Sequence, residues 1–124
     1  MPPAPHSGRY ANTRASPRFA FDALVGVVVS QADNPGQFWS RSTDISQGGI
    51  GVNLLGSDAN TDEVVSLQIP LPKQNPVALR GGVRYRIGRH CGFEFVDLDE
   101  GQRHAVRLAC EALARSQTRE TRTS

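Results

Sequence analysis

From Phe19 to Phe95 apolar and polar residues alternate in short runs, with proline, glycine and asparagine between the runs. Phe19, Phe21, Ala23, Val25, Val27 and Val29 recur at every second position, and Asp22, Gly26 and Ser30 fall between them. A period of two is that of a strand with one face in a core and one in water. ADNPGQ then supplies turn chemistry. Further strands are predicted for Gln37 to Ile45, Ile50 to Leu55, and Val65 to Leu71, where Pro70 marks an edge or an end. In PVALRGGVRYRIG, Val77, Leu79, Val83, Tyr85 and Ile87 take one face and Arg80, Arg84 and Arg86 the other. Cys91, Phe93 and Phe95 outline a sixth strand.

After Asp99 the period lengthens. Ala105, Leu108, Ala109, Ala112 and Leu113 form a helical stripe, with Arg103, Arg107, Glu111 and Arg115 facing away. Asp99 followed three residues later by Gln102 has the form of a capping box, which starts the helix near Glu100. SQTRETRTS has no apolar anchor and is expected to fray, so residues 116–124 read as a disordered tail. At the other end, Met1 to Arg18 is rich in proline and reads as an extended arm. Six short strands and a terminal helix predict a small antiparallel barrel, covered at an end or side by that helix.

The 124 residues suit one domain, and a net charge of +2 is too small for a general polyanion binder. The longest apolar run, Leu24 to Val29, is far short of the ~20 residues that span a bilayer, so membrane insertion is not expected. Cys91 and Cys110, with no signal peptide beside them, read as reduced thiols of a cytoplasmic protein. His6, His90 and His104 are scattered without Cys or carboxylate at ligand spacing, which argues against a metal site, and His90 reads as part of a solvated turn. Trp39 reads as packed against the barrel. No nucleophile, base pair or carboxylate pair assembles, so no catalytic residues are assigned.

Two constellations remain. Arg14 and Arg18, in RASPR, lie ~13 Å apart in extended chain, and their side chains can converge if the chain bends at Pro17. Guanidinium groups suit phosphate oxygens and the O6/N7 edge of guanine. Asp44, Ser46 and Gly49, in DISQGG, combine an acceptor, a hydroxyl and a backbone without Cβ. Taken alone, the second group is more simply a turn in which Asp44 or Ser46 bonds its own backbone.

Together, RASPR and DISQGG resemble the signature of the PilZ domain family, RxxxR followed a strand later by (D/N)xSxxG. The matching positions are Arg14, Arg18, Asp44, Ser46 and Gly49, and LRGGVRYR and CGFEF resemble later strands of the family. The resemblance covers Asn12 to Arg115, leaving residues 1–11 as a flexible arm. It implies an all-β fold, a six-stranded antiparallel β-barrel with a C-terminal α-helix, that binds the bacterial second messenger cyclic di-GMP. In that reading Arg14 and Arg18 grip phosphates and guanine edges, while Asp44 and Ser46 hold a guanine and a phosphate from the barrel surface. Many members carry a further Arg before the first motif Arg; here that position is Thr13. The resemblance also implies relay to a downstream protein partner in motility, exopolysaccharide or virulence control, with no cofactor, no catalysis and no DNA or RNA. Two other readings stay open: a docking adaptor with weak or no nucleotide binding, and a barrel that binds single-stranded nucleic acid through Arg80 to Arg86.

Overall fold

A computed structural model describes residues 16–29, 36–55 and 64–123. Arg14, the arm expected over residues 1–11 and most of the turn expected at ADNPGQ fall outside them. The described elements are β1 (Phe19–Ala20), β2 (Leu24–Val29), β3 (Gly36–Ile45), β4 (Gly49–Leu54), β5 (Val65–Ile69), β6 (Val77–Ile87), β7 (His90–Phe95) and α1 (Glu100–Thr123). All strand pairs are antiparallel, in the order β1-β3-β2-β5-β6-β7-β4, and β4 pairs back with β3. Six strands thus close a barrel, and β1 precedes β2 along the same edge of β3. Closure leaves the barrel no unpaired edge.

The first strand expected from the alternation is two strands. Ala20 pairs with Asp44 and Leu24 with Arg41, so three residues, Phe21 to Ala23, oppose two on β3. Ser42 fills the irregularity: its hydroxyl donates to the Phe21 carbonyl (2.6 Å) and accepts from the Ala23 amide (2.9 Å). Alternation survives the break, because Phe21, Val25, Val27 and Val29 all remain buried.

Inside the barrel, Val25, Val27, Ile45, Val52, Leu67, Ile69, Leu79, Cys91 and Phe93 are almost fully enclosed. Both cysteines are free thiols and buried. Burial pushes the Cys110 thiol up to about 11, with the neighbouring Glu111 charge adding to the effect. Gly88, at φ +61°, opens the two-residue turn that joins β6 to β7, as a glycine-first hairpin turn requires.

The capping box forms reciprocally: the Gln102 amide donates to Asp99 Oδ1 at 2.7 Å and the Asp99 amide to Gln102 Oε1 at 2.9 Å. From there α1 buries Val106, Ala109 and Cys110, with Ala105 and Leu113 partly covered. Leu108, placed on the apolar stripe by its spacing, is instead exposed, because Val106 and Cys110 shift the buried face by part of a turn. Glutamine amides tie the helix to the barrel: Gln102 donates to Ala78 O, Gln117 to Ala20 O, and Gln74 to Ala105 O. The helix runs on to Thr123 and is held at Gln117, beyond the point where its sequence suggested a frayed tail. Trp39 is half exposed on the outer face rather than packed away.

Candidate functional site

Irregular pairing on one side of the barrel builds the candidate site. Ser42 pairs with Val52 and Asp44 with Gly51, which leaves Thr43 as an extra residue in β3. Such a bulge re-aims side chains: Ser42 and Ile45 stay buried, while Thr43 and Asp44 both turn outward. Gly51 makes room for them, since a Cβ there would come within 2.6 Å of Asp44 Oδ1 and 3.2 Å of Thr43 Oγ1. The Thr43 hydroxyl donates to the Gly51 carbonyl at 3.3 Å.

Asp44 faces Arg18. The pairing of β1 with β3 sets Phe19 beside Ile45 and Ala20 beside Asp44, which carries the chain around Arg18 to the hairpin that follows β3. Residues 26 apart in sequence therefore meet, with Arg18 Nη1 at 3.3 Å from Asp44 Oδ2. Both side chains are partly exposed, so the pair contributes at most about 1 kcal/mol to stability. Its consequence is positional. The other oxygen, Asp44 Oδ1, is buried and has no hydrogen-bond partner among the described residues. A buried acceptor left this way costs stability until something donates to it.

Ser46 and Gly49 close the hairpin between β3 and β4. The Ser46 amide donates to the Gly49 carbonyl (2.9 Å), and the Ser46 hydroxyl accepts from the Gly48 amide (3.2 Å). The simple turn expected of DISQGG is thus present, at its serine. Gly49 has a packing reason of its own: a Cβ would run into the Phe93 carbonyl of β7. Arg18, Ser46 and Gly49 line one small cleft, while Arg14 lies outside the described residues.

The far wall of that cleft was not foreseen. Val83 pairs with Phe93 and Tyr85 with Gly92, so Arg84 is the extra residue of a second bulge. Arg84 and Tyr85 line the cleft opposite Arg18. The bulge reverses the phase of the strand beyond it: Tyr85 is on the outside, Ile87 is exposed, and no continuous Arg80–Arg84–Arg86 face exists. Arg80 instead pairs with Asp97 at 3.3 Å. Gly51 and Gly92 are themselves partners across β4 and β7, so both bulges look onto one floor without side chains. The Tyr85 ring lies directly over Gly92.

A polar chain holds that ring. Tyr85 Oη is 3.1 Å from His90 Nε2, and His90 Nδ1 is 3.0 Å from Asn53 Oδ1. Since the Asn53 oxygen only accepts, the assigned network puts a proton on Nδ1 and lets Nε2 accept from the tyrosine. His90 therefore belongs to β7 and to this site, not to a solvated turn. The signal in the sequence was a glycine inside each of two strands, Gly51 in β4 and Gly92 in β7. The site offers guanidinium groups for phosphate, a carboxylate for N–H donors, and an aromatic ring, seated on Gly92, for a planar base. Among the described residues, no three His, Cys, Asp or Glu side chains gather as a metal site.

A closed six-stranded barrel with a short leading strand, an Arg–Asp pair beside the β3–β4 hairpin and a capping helix is an architecture shared with known domains. A model of the PilZ domain family matches residues 12–112, and the chain belongs to that family. PilZ domains are receptor and adaptor domains, not enzymes. Among solved structures, the chain is similar to the PilZ domain of YcgR from Escherichia coli with c-di-GMP. That likeness has a TM-score of 0.69 at 14% identity and covers 90% of this chain and 98% of the other. It is also similar to the Bacillus subtilis inhibitor of motility MotI/DgrA, at TM-score 0.62 and 24% identity, over 86% of this chain and 51% of that one. An uncharacterized protein of Aquifex aeolicus is 34% identical over 93 residues, 72% of this chain. The match spans 43% of the Aquifex protein's length.

Proposed function

We propose that this PilZ domain is a receptor for cyclic di-GMP and that it relays the occupied state to a protein partner. The observation that carries the reading is the buried, unpartnered Asp44 Oδ1 beside Arg18. Guanine presents an N–H and an amino group on one edge, and a carboxylate can accept from both. Arg18, with Arg14 brought in from the segment before it, takes phosphate oxygens and guanine edges. Ser46 holds a phosphate through its hydroxyl, which has no acceptor of its own among the described residues, and Gly49 keeps the turn close to β7. The Tyr85 ring, seated on Gly92, suits the planar base.

Calorimetric titration with cyclic di-GMP tests this. Arg18→Ala and Asp44→Ala each remove a charge-assisted bond of about 1.5–3 kcal/mol and are expected to weaken binding tenfold or more. Unchanged affinity in both variants would remove the site.

One observation favours the second reading, a docking adaptor with weak or no nucleotide binding. Arg18 already occupies Asp44 Oδ2, so the nucleotide has to displace or share that contact. An absence of heat at high micromolar ligand, with the fold intact, selects the adaptor. Among the described residues no helix is long and apolar enough to cross a membrane.

A further inference from the structure

The Ser46–Gly49 turn has two sides. Ser46 and Gly49 line the cleft beside Arg18, whereas Gln47 lines a second cleft of about 260 Å3, together with Phe95, Asp97, Leu98, Arg103 and Arg107. Arg103 and Arg107 are exposed and stand one turn apart on α1, ~6 Å along its axis. Neither has a carboxylate within ion-pair distance among the described residues. Arg107 has a hydrogen bond to the ring nitrogen of His104, at 3.1 Å. The one acid in the cleft, Asp97, is engaged by Arg80.

We propose that this second cleft docks an acidic segment of a partner protein. Arg103 and Arg107, set ~6 Å apart along the helix axis, have a spacing that suits carboxylates on alternate residues of an extended chain, which lie ~6.7 Å apart. Bidentate pairing then fixes the register of the segment. Phe95 and Leu98 add an apolar edge that a peptide can use and a small inorganic anion cannot. Because Gln47 sits between Ser46 and Gly48, a segment in this cleft leans on the same turn that the nucleotide reading places against its ligand. Docking itself does not depend on that reading.

The test is fluorescence anisotropy at low ionic strength, without nucleotide, using a fluorescein-labelled peptide of alternating Glu and Leu. Wild-type protein is expected to bind it, and to ignore the matching Lys–Leu peptide. Arg103→Glu/Arg107→Glu is expected to weaken binding at least tenfold without a change in melting temperature, and Arg18→Ala to leave it unchanged. Should the double variant fold poorly, Arg107→Gln alone is expected to weaken binding by about threefold or more, since one of two charge-assisted contacts is lost. Equal affinity in the charge-altered variants would overturn the proposal. So would complete displacement of the peptide by millimolar inorganic phosphate, which would mark a simple anion site. A failed cyclic di-GMP titration leaves every arm of this experiment readable.

Discussion

The two sides of the barrel wall are built on different terms. Where β2 meets β5 and β5 meets β6 the register is unbroken, and every inward position but Gly81 carries a branched aliphatic such as Val27, Leu67 or Leu79. Where β3 meets β4 and β6 meets β7 the register slips twice, and glycines stand opposite both slips. The regular side concentrates apolar burial, which stabilises. The bulged side holds a buried orphan acceptor and a floor without side chains, neither of which stabilises the fold. Both bulges thus lie on the face with the candidate site, as expected when local order is given up for binding.

Glycine substitutions separate the two sides most sharply. Gly49→Ala puts a methyl group against the backbone carbonyl of Phe93, which cannot move aside. Its expected cost is about 3 kcal/mol or more, read by urea denaturation. Gly26→Ala, on the regular side, meets only the tip of Gln37 at 3.2 Å and is expected within about 0.5 kcal/mol of wild type. If the two alanines cost the same, the close approach of β4 to β7 is not what Gly49 serves.

Next comes a dissociation of stability from binding. Leu67→Ala is expected to cost about 2–5 kcal/mol and to leave cyclic di-GMP affinity unchanged in protein that remains folded. Gly51→Ala displaces the Asp44 carboxylate and is expected to do the reverse, costing about 1–2 kcal/mol while weakening the nucleotide tenfold or more. Parallel losses in both variants would mean that site and core are one unit.

A smaller effect belongs to the helix. The Cys110 thiol is pushed up to about 11 from an ordinary 9.0. A raised folded value means that the unfolded chain ionises first, so this contribution to stability is full below pH 9 and is lost as pH rises towards about 11. Melting temperature is expected to fall across that window, and Cys110→Ala is expected to flatten the slope. An equal slope in the variant would assign it to other groups.

Much of this was legible in the residues. Alternation located the strands and most of the core, and Asp99 with Gln102 marked the helix start to the residue. Through the family resemblance RASPR and DISQGG put Arg18 and Asp44 in one site, but neither motif records the β1–β3 pairing that brings their side chains to 3.3 Å. The misses share one cause. A period of two cannot count an extra residue, so Tyr85 and Ile87 were put on the wrong face and the break after Ala20 was overlooked. Leu108 was misplaced because spacing alone does not say which of two adjacent apolar stripes a barrel end will accept. Tyr85, His90 and Asn53 meet only across three strands, and no local pattern records that.

The central claim is that the bulged face is the binding face. It is tested most directly by following backbone amide shifts of isotope-labelled protein as cyclic di-GMP is added. The account predicts movement confined to Arg18, Thr43 to Gly51, and Tyr85 to Gly92, with β2 and β5 still. Shifts centred on β2 and β5, or none at saturating nucleotide, would contradict it.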